Sequence, residues 1–213
     1  AWLAPLPGGT ENLLCRELRL PGDPVAAALR LLRGRVARRD VGMLGGRFFV
    51  VMAGVGFDGE VVARVTPAWK RAVGGVAAHL GHTLWSLALL RPRMFAVSWL
   101  RRTSRNIHQV VFSIGPRYGG GLLLSPGADP ADGRLDVALL PWRGRVGRLA
   151  QFVSLLGRGM RTPFEPVRAR VRSARVRGAT PLAAQVDGEP FLVTNPGVSV
   201  RPGALWVLQG AGG

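Results

Sequence analysis

Val186-Asp187-Gly188-Glu189-Pro190 sets two carboxylates on either side of one glycine. Asp-Gly between apolar runs is first a hairpin-turn signal. A carboxylate pair on a rigid turn is also a way to present a general base. The same tripeptide recurs at 58–60, which shows how readily it arises in a glycine-rich chain. There, Gly54-Val55-Gly56-Phe57-Asp58-Gly59-Glu60 reads as a tight strand-to-helix turn, with Asp58 capping a helix through Val65. A third cluster is Tyr118-Gly119-Gly120-Gly121, followed by Asp129-Pro130-Ala131-Asp132-Gly133-Arg134-Leu135-Asp136. Glycines allow close backbone approach, and carboxylates around a turn can hold a hard cation together with main-chain carbonyls. The plainer reading is an aspartate-rich turn entering the Leu135 strand. A fourth is Pro7-Gly8-Gly9-Thr10-Glu11-Asn12, where a helix start and free amides could seat a phosphate, with Thr10 and Asn12 as partners. A loop with a threonine cap accounts for the same residues.

Other chemistry finds less support. His79 and His82 are three apart, with no third ligand near in sequence, and His108 is isolated. There is no CxxC, no Walker A and no GxGxxG in a strand–helix context. Arg101-Arg102 and the arginines from Arg168 to Arg177 could meet phosphates. Aromatics are 7% and rarely interleave with arginine, which argues against a platform for stacking single-stranded bases.

The 213 residues hold 47% hydrophobic and 19% charged side chains, enough for a core and against disorder. Net charge is +17, and Lys70 is the single lysine. Abundant arginine, alanine, glycine and proline fit a proteome-wide bias as well as an anionic partner. One cysteine, Cys15, excludes an internal disulfide and reads as a small buried hydrophobe. No secretory signal is visible. The chain opens at Ala1, in the middle of a motif, so upstream sequence is expected. Residues 72–90 lack formal charge, but Gly74, Gly75, Gly81, two histidines and Ser86 favour a buried or interfacial helix over a span.

These residues need elements to hold them. Thr10 caps an expected helix over 11–19, and Asp23-Pro24 starts another with Val25, Ala28, Leu29 and Leu32 on its apolar face, ending at Gly34. Strands are expected at 36–44, 48–55, 95–101, 107–114, 121–124, 135–140, 167–176, 182–186, 191–193, 198–201 and 205–209. Helices are expected at 69–90 and 146–156. Turn signals every eight to twelve residues argue for a sandwich or barrel. The fold class is α+β, mostly β.

Singly weak, these segments in this order resemble the soluble diacylglycerol kinase family, which includes sphingosine and ceramide kinases and bacterial lipid kinases. Pro7 to Leu14 resembles the family's P-x-G-T-x-N segment, and Arg39-Asp40-Val41-Gly42 its basic-Asp-apolar-Gly strand. Phe48 to Val62, Tyr118 to Gly121, Asp132 to Asp136 and Asp187-Gly188-Glu189 complete the series. The resemblance implies the helical end of an α/β nucleotide-binding domain over 1–34 and a β-sandwich-like domain over 35–213. It implies an ATP-dependent kinase acting on a lipid hydroxyl, with ATP and Mg2+ as cofactors. Glu189 would be the general base and Asp187 its support. Gly9, Thr10 and Asn12 would meet the nucleotide phosphates. Asp132, with main-chain carbonyls of Asp129 and Arg134, would hold magnesium, and Asp40 would join that network. Departures are Leu13 after Asn12, and Ile114-Gly115 where Asn-Gly is common. The glycine-rich nucleotide motifs that the family carries upstream are absent, so poor ATP binding by this chain alone is expected.

The implied partner is a lipid substrate at an anionic membrane surface, on a cytoplasmic protein held there peripherally; a homodimer is compatible. Two rivals stand beside this reading. One is a catalytically silent lipid-binding or regulatory member of the fold, and the other a basic nucleic-acid binder driven by the charge.

Overall fold

A computed structural model describes residues 1–9, 11–64, 92–119, 122–156 and 165–210. The expected 69–90 helix, His79, His82, Thr10, Gly120 and Gly121 lie outside the described residues. Strand β1 (Trp2–Leu3) precedes helices α1 (Leu13–Glu17) and α2 (Pro24–Leu32). Then come β2 (Arg35–Leu44), β3 (Arg47–Phe49), β4 (Met52–Gly56), α3 (Phe57–Arg64), β5 (Phe95–Trp99), β6 (Arg102–Ser113), β7 (Arg117–Tyr118), β8 (Leu122–Leu123) and β9 (Leu135–Pro141). Helix α4 (Gly144–Leu156) is followed by β10 (Val167–Val171), β11 (Ser173–Gly178), β12 (Leu182–Val186), β13 (Glu189–Val193) and β14 (Gly197–Gln209).

Twelve of the described strands form one sheet in the order β13-β12-β4-β6-β5-β11-β14-β2-β3, with β1 added to β14, and β9 to β6 and β10, while β7 and β8 pair separately. Strand β6 is the corner. Its first half pairs with β5, and a register shift near Ile107 turns its second half toward β9 and β4. The main core takes side chains from both runs: Leu44, Val97, Val176 and Val198 from one, and Val55, Phe112, Leu139 and Ala184 from the other. This is the curled, mostly β arrangement that alternating burial and frequent turns predict.

Some local expectations needed correction. Asp23 does cap α2, accepting from the Ala26 amide at 2.8 Å, with Pro24 in the first turn. The helix buries Ala27 and Leu31 instead, and the expected apolar face is outward, with Val25 68% and Leu32 81% exposed. In a nearly all-apolar helix, periodicity cannot choose the buried side. Helix α1 begins at Leu13 with Asn12 in the capping position, later than a Thr10 cap would place it. Residues 167–176 form two strands, and 198–209 belong to one strand with a bulge between Arg201 and Leu205. Cys15 is buried with Leu20, Ala27 and Leu31 as expected, and burial pushes its thiol pKa up. Among the described residues no helix is long and apolar enough to cross a membrane.

The glycine-rich segment after β4 serves packing. A Cβ on Gly59 would stand 2.4 Å from the Ala184 amide nitrogen, so this glycine lets α3 lie directly on β12. Backbone cannot yield as a flexible side-chain end can. Gly59→Ala is therefore expected to lower unfolding free energy by about 1–3 kcal/mol, read from a denaturant midpoint. An unchanged midpoint would show that α3 is not seated this way.

Where β6 passes under α4, His108 is 1% exposed among Phe57, Trp142 and Arg148. Burial, and then Arg148, lower its pKa to about 4. The native state therefore stays neutral while the unfolded chain takes up a proton below about pH 6.5. Stability from this site is full above that value and declines as pH falls toward the native pKa. The expected loss is at most about 3 kcal/mol by pH 4. His108→Gln should remove that part of the acid slope, measured by denaturant unfolding at several pH values.

Candidate active site

The β12–β13 hairpin turns on Asp187 and Gly188, with φ of 47° and 92°. Positive φ at both central residues is the primed turn that suits twisted strands, and Asp-Gly is a favoured pair for it. The turn also carries the Asp187 carboxylate to the corner between β3 and β4. There it accepts from the amides of Val50, Val51 and Met52 at 2.7, 3.0 and 2.9 Å. The Asp187 amide returns a bond to the Met52 carbonyl at 2.9 Å. Burial raises the Asp187 pKa, opposed by the three amides and by Arg39. Asp187 is thus fully engaged as a clamp. Glu189 begins β13 opposite Val186, exposed, and none of the ion pairs among the described residues involves it.

Two polar chains brace this turn. In the first, Arg39 donates to the Val50 carbonyl at 3.0 Å and pairs with Glu17 of α1 at 2.6 Å. The two side chains are 4% and 5% exposed, so neither charge could be lost cheaply. Burial raises the Glu17 pKa, and Arg39 and Arg117 pull it back. Gly115 makes room for that carboxylate: a Cβ there would lie 2.1 Å from Glu17 Oε1.

The second chain starts at Tyr118, the only tyrosine. Its hydroxyl donates to Asp58 Oδ1 and accepts from Gln109 Nε2 at 3.3 Å. Gln185 Nε2 donates to Asp58 Oδ2 at 2.7 Å, and Gln185 Oε1 accepts the Gly188 amide at 2.8 Å. Burial, and then the Asp58 charge, raise the Tyr118 pKa well above its usual range. Asp58 was expected as a helix cap. It instead lies inside α3 with its carboxylate over Gly54, where a Cβ would meet Oδ2 at 1.8 Å. Sequence reasoning missed this role, along with Gln185, Arg39 and Glu17. The adjacent Tyr and Gly run and the Asp58 motif were visible, but not their meeting across sixty residues.

The four residues assigned to magnesium also come together. Asp40 is fully buried and accepts from the Gly133 amide at 2.6 Å and the Gly203 amide at 2.7 Å. Its own amide donates to the Pro130 carbonyl at 2.8 Å. The 129–134 turn is therefore fastened to β2. Within it, Asp129 accepts from Ala131 at 3.0 Å, and Asp132 accepts from the Arg134 amide at 2.9 Å. Arg170 pairs with the other Asp132 oxygen and stands 3.6 Å from Asp136, whose pKa burial raises. Among the described residues no three His, Cys, Asp or Glu side chains form a metal-binding group. A cation here would rest on one carboxylate and main-chain carbonyls. That oxygen-only set suits magnesium by donor type, and Arg170 competes with it for Asp132.

A side-chain clasp closes the segment before α1. Asn12 has φ of 48°, and its side-chain amide both accepts from the Gly9 amide and donates to the Gly9 carbonyl, each at 2.8 Å. Helix α1 has five residues, so its dipole adds little for an anion.

A polar network thus braces the turn that carries Asp187 and Glu189 at the edge of a curled, mostly β sheet. The YegS C-terminal NAD kinase beta sandwich-like domain matches residues 50–209, and the chain belongs to the YegS-like lipid kinase family. A Pseudomonas aeruginosa protein named "Probable lipid kinase YegS-like" is 36% identical over 214 residues, covering 100% of this chain and 69% of its own length. A Pseudomonas fluorescens protein of the same name is 35% identical, covering 97% and 68%. Two Bacillus anthracis str. Sterne crystal structures, described as "a putative diacylglycerol kinase" and as a diacylglycerol kinase, superpose with TM-scores of 0.77 and 0.73 at 20% identity. They cover 97% of this chain and 67% and 68% of theirs.

Proposed function

We propose that this chain carries the lipid-binding and proton-accepting part of an ATP-dependent kinase that phosphorylates a lipid hydroxyl. The observation that carries the reading is Glu189, an exposed carboxylate directly after a turn whose other acid is locked by three amides. Phosphoryl transfer asks mainly for positioning, charge neutralisation and a base near the attacking hydroxyl. Glu189 takes the hydroxyl proton as the lipid oxygen bonds to the γ-phosphorus of ATP and the bond from that phosphorus to the bridging oxygen breaks, releasing ADP. Asp187 does not share that proton. It fixes the turn, and with it the direction of the base.

Gly9, Thr10 and Asn12 are proposed to meet the nucleotide on the strength of the family resemblance. Residues 1–34 then form the end of a nucleotide-binding domain, and 35–213 the lipid-kinase domain. Magnesium would be held by Asp132 with the Asp129 and Arg134 carbonyls, with Asp40 tying the turn in place, and would supply neutralising charge and rigidity. The protein would work in the cytoplasm, peripherally at a membrane where its substrate lies.

The test is phosphate transfer from labelled ATP to a panel of lipids in mixed micelles with magnesium, for this chain beside a version extended upstream. Transfer by the extended form is the expected result. Silence from both folded forms across the panel would overturn the reading and favour the catalytically silent one. Asp132→Asn is expected to weaken the magnesium dependence of transfer while leaving the fold intact; an unchanged magnesium requirement would remove Asp132 from the site.

A further inference from the structure

The acids of this chain are unevenly placed. None occurs between Glu60 and Asp129, and none between Glu165 and Asp187. The fold brings strands from those acid-free stretches side by side. Arg175 of β11 lies opposite Ser98 of β5, and Ser173 opposite Ser199 of β14. Their neighbours Val97, Val176 and Val198 point into the core, so the serines and arginines share the sheet's outer face. That face forms an open groove of about 600 Å³, lined by Ser98, Leu100, Ser173, Arg175, Arg177 and Ser199 among others, with no acid on it.

At one end of the groove the β5–β6 hairpin projects. Leu100 at its tip is 94% exposed and holds φ of 51°, a backbone region that a leucine rarely adopts. Exposed Arg101 and Arg102 follow it. None of Arg101, Arg102, Arg175 and Arg177 takes part in an ion pair among the described residues. An apolar tip beside unpaired arginines and hydroxyls is the makeup of a surface that inserts a side chain between acyl chains and sets cations against phosphates. A nucleic acid would gain nothing from Leu100, and the one aromatic lining the groove, Trp99, is packed against the core rather than offered as a stacking platform.

We propose that this outer face, with the Leu100 hairpin, is the docking surface for an anionic lipid bilayer. The inference extends the lipid-kinase reading by naming the face that meets the membrane, and its test needs no turnover. The 213-residue chain is floated with phosphatidylcholine vesicles, with or without phosphatidylglycerol. Binding to the anionic vesicles only, weakening with salt, is expected. Arg175→Glu with Arg177→Glu should lower that binding roughly tenfold or more. Leu100→Asp should lower it as well. Arg33→Glu with Arg35→Glu, at the α2–β2 junction away from the groove, should leave it within about twofold if only the local face matters. Thermal melts confirm that each variant is folded.

Equal loss in the far control would reduce the effect to net charge and overturn the proposal. So would full binding by the Arg175/Arg177 variant. Displacement by millimolar inorganic phosphate would make the groove a site for the free anion. Equally tight capture of single-stranded DNA, lost in the same variant, would make it a nucleic-acid surface. Failure of phosphate transfer with binding intact would count against the kinase reading alone.

Discussion

Phosphate transfer by a Glu189→Gln variant, in the version extended upstream, is expected to fall by about 100- to 10,000-fold, the usual contribution of a positioned general base. Its unfolding free energy should stay within about 0.5 kcal/mol of wild type. The stability expectation follows from the site. Glu189 is exposed at the start of an edge strand and forms none of the ion pairs among the described residues. Its amide and carbonyl hold the hairpin whatever the side chain is. The pair of measurements separates chemistry from folding. A variant that melts like wild type and retains its rate would remove Glu189 from the reaction. Loss of lipid binding with unchanged turnover at saturation would point to a substrate contact instead.

Asp187→Ala should fail in the opposite way, through the fold first. Three amides would lose their acceptor, and alanine would have to hold φ of 47°. An unpaired buried donor costs about 1–3 kcal/mol, and a left-handed alanine adds about 1–2 kcal/mol. Water can reach the partly exposed Val50 end, so the expected loss is about 3–5 kcal/mol in unfolding free energy. Turnover would fall with it, because the corner that orients the turn is gone. Asp187→Asn keeps the left-handed preference and one acceptor oxygen, so it should be intermediate in stability. Equal stability of all three proteins in a denaturant titration would mean that the clamp contributes nothing.

How far the sequence could be read depended on the range of the interaction. The Asp23-Pro24 start of α2 and the Asp187-Gly188 turn were legible because each is decided by neighbours within three or four residues. The carboxylates of 129–136 were recognisable as a turn for the same reason. Pro202 and Gly203 look like a break, yet β14 continues past them through a bulge, because Asp40 catches the Gly203 amide. Asp58 reads locally as a cap, and only its meeting with Tyr118 and Gln185 reveals a hub. The outward apolar face of α2 failed for another reason. Hydrophobic spacing identifies a stripe but not what lies against it. The order of motifs carried more than any motif, because glycine and aspartate recur often by chance in this composition.

Arg39 and Asp40 are adjacent on β2, opposite in charge and almost wholly buried. Alternation sends them to opposite faces, the cation to Glu17 and Val50, the anion to Gly133 and Gly203. A slip of β2 by one residue against β14 would exchange them. The carboxylate would then face Glu17, and the guanidinium would face two amide donors. Both faults would be buried, where like charges and unmatched donors are most costly. Misalignment of strand β2 would thus produce an electrostatic error at both of its faces at once, which sets its register more sharply than apolar packing alone.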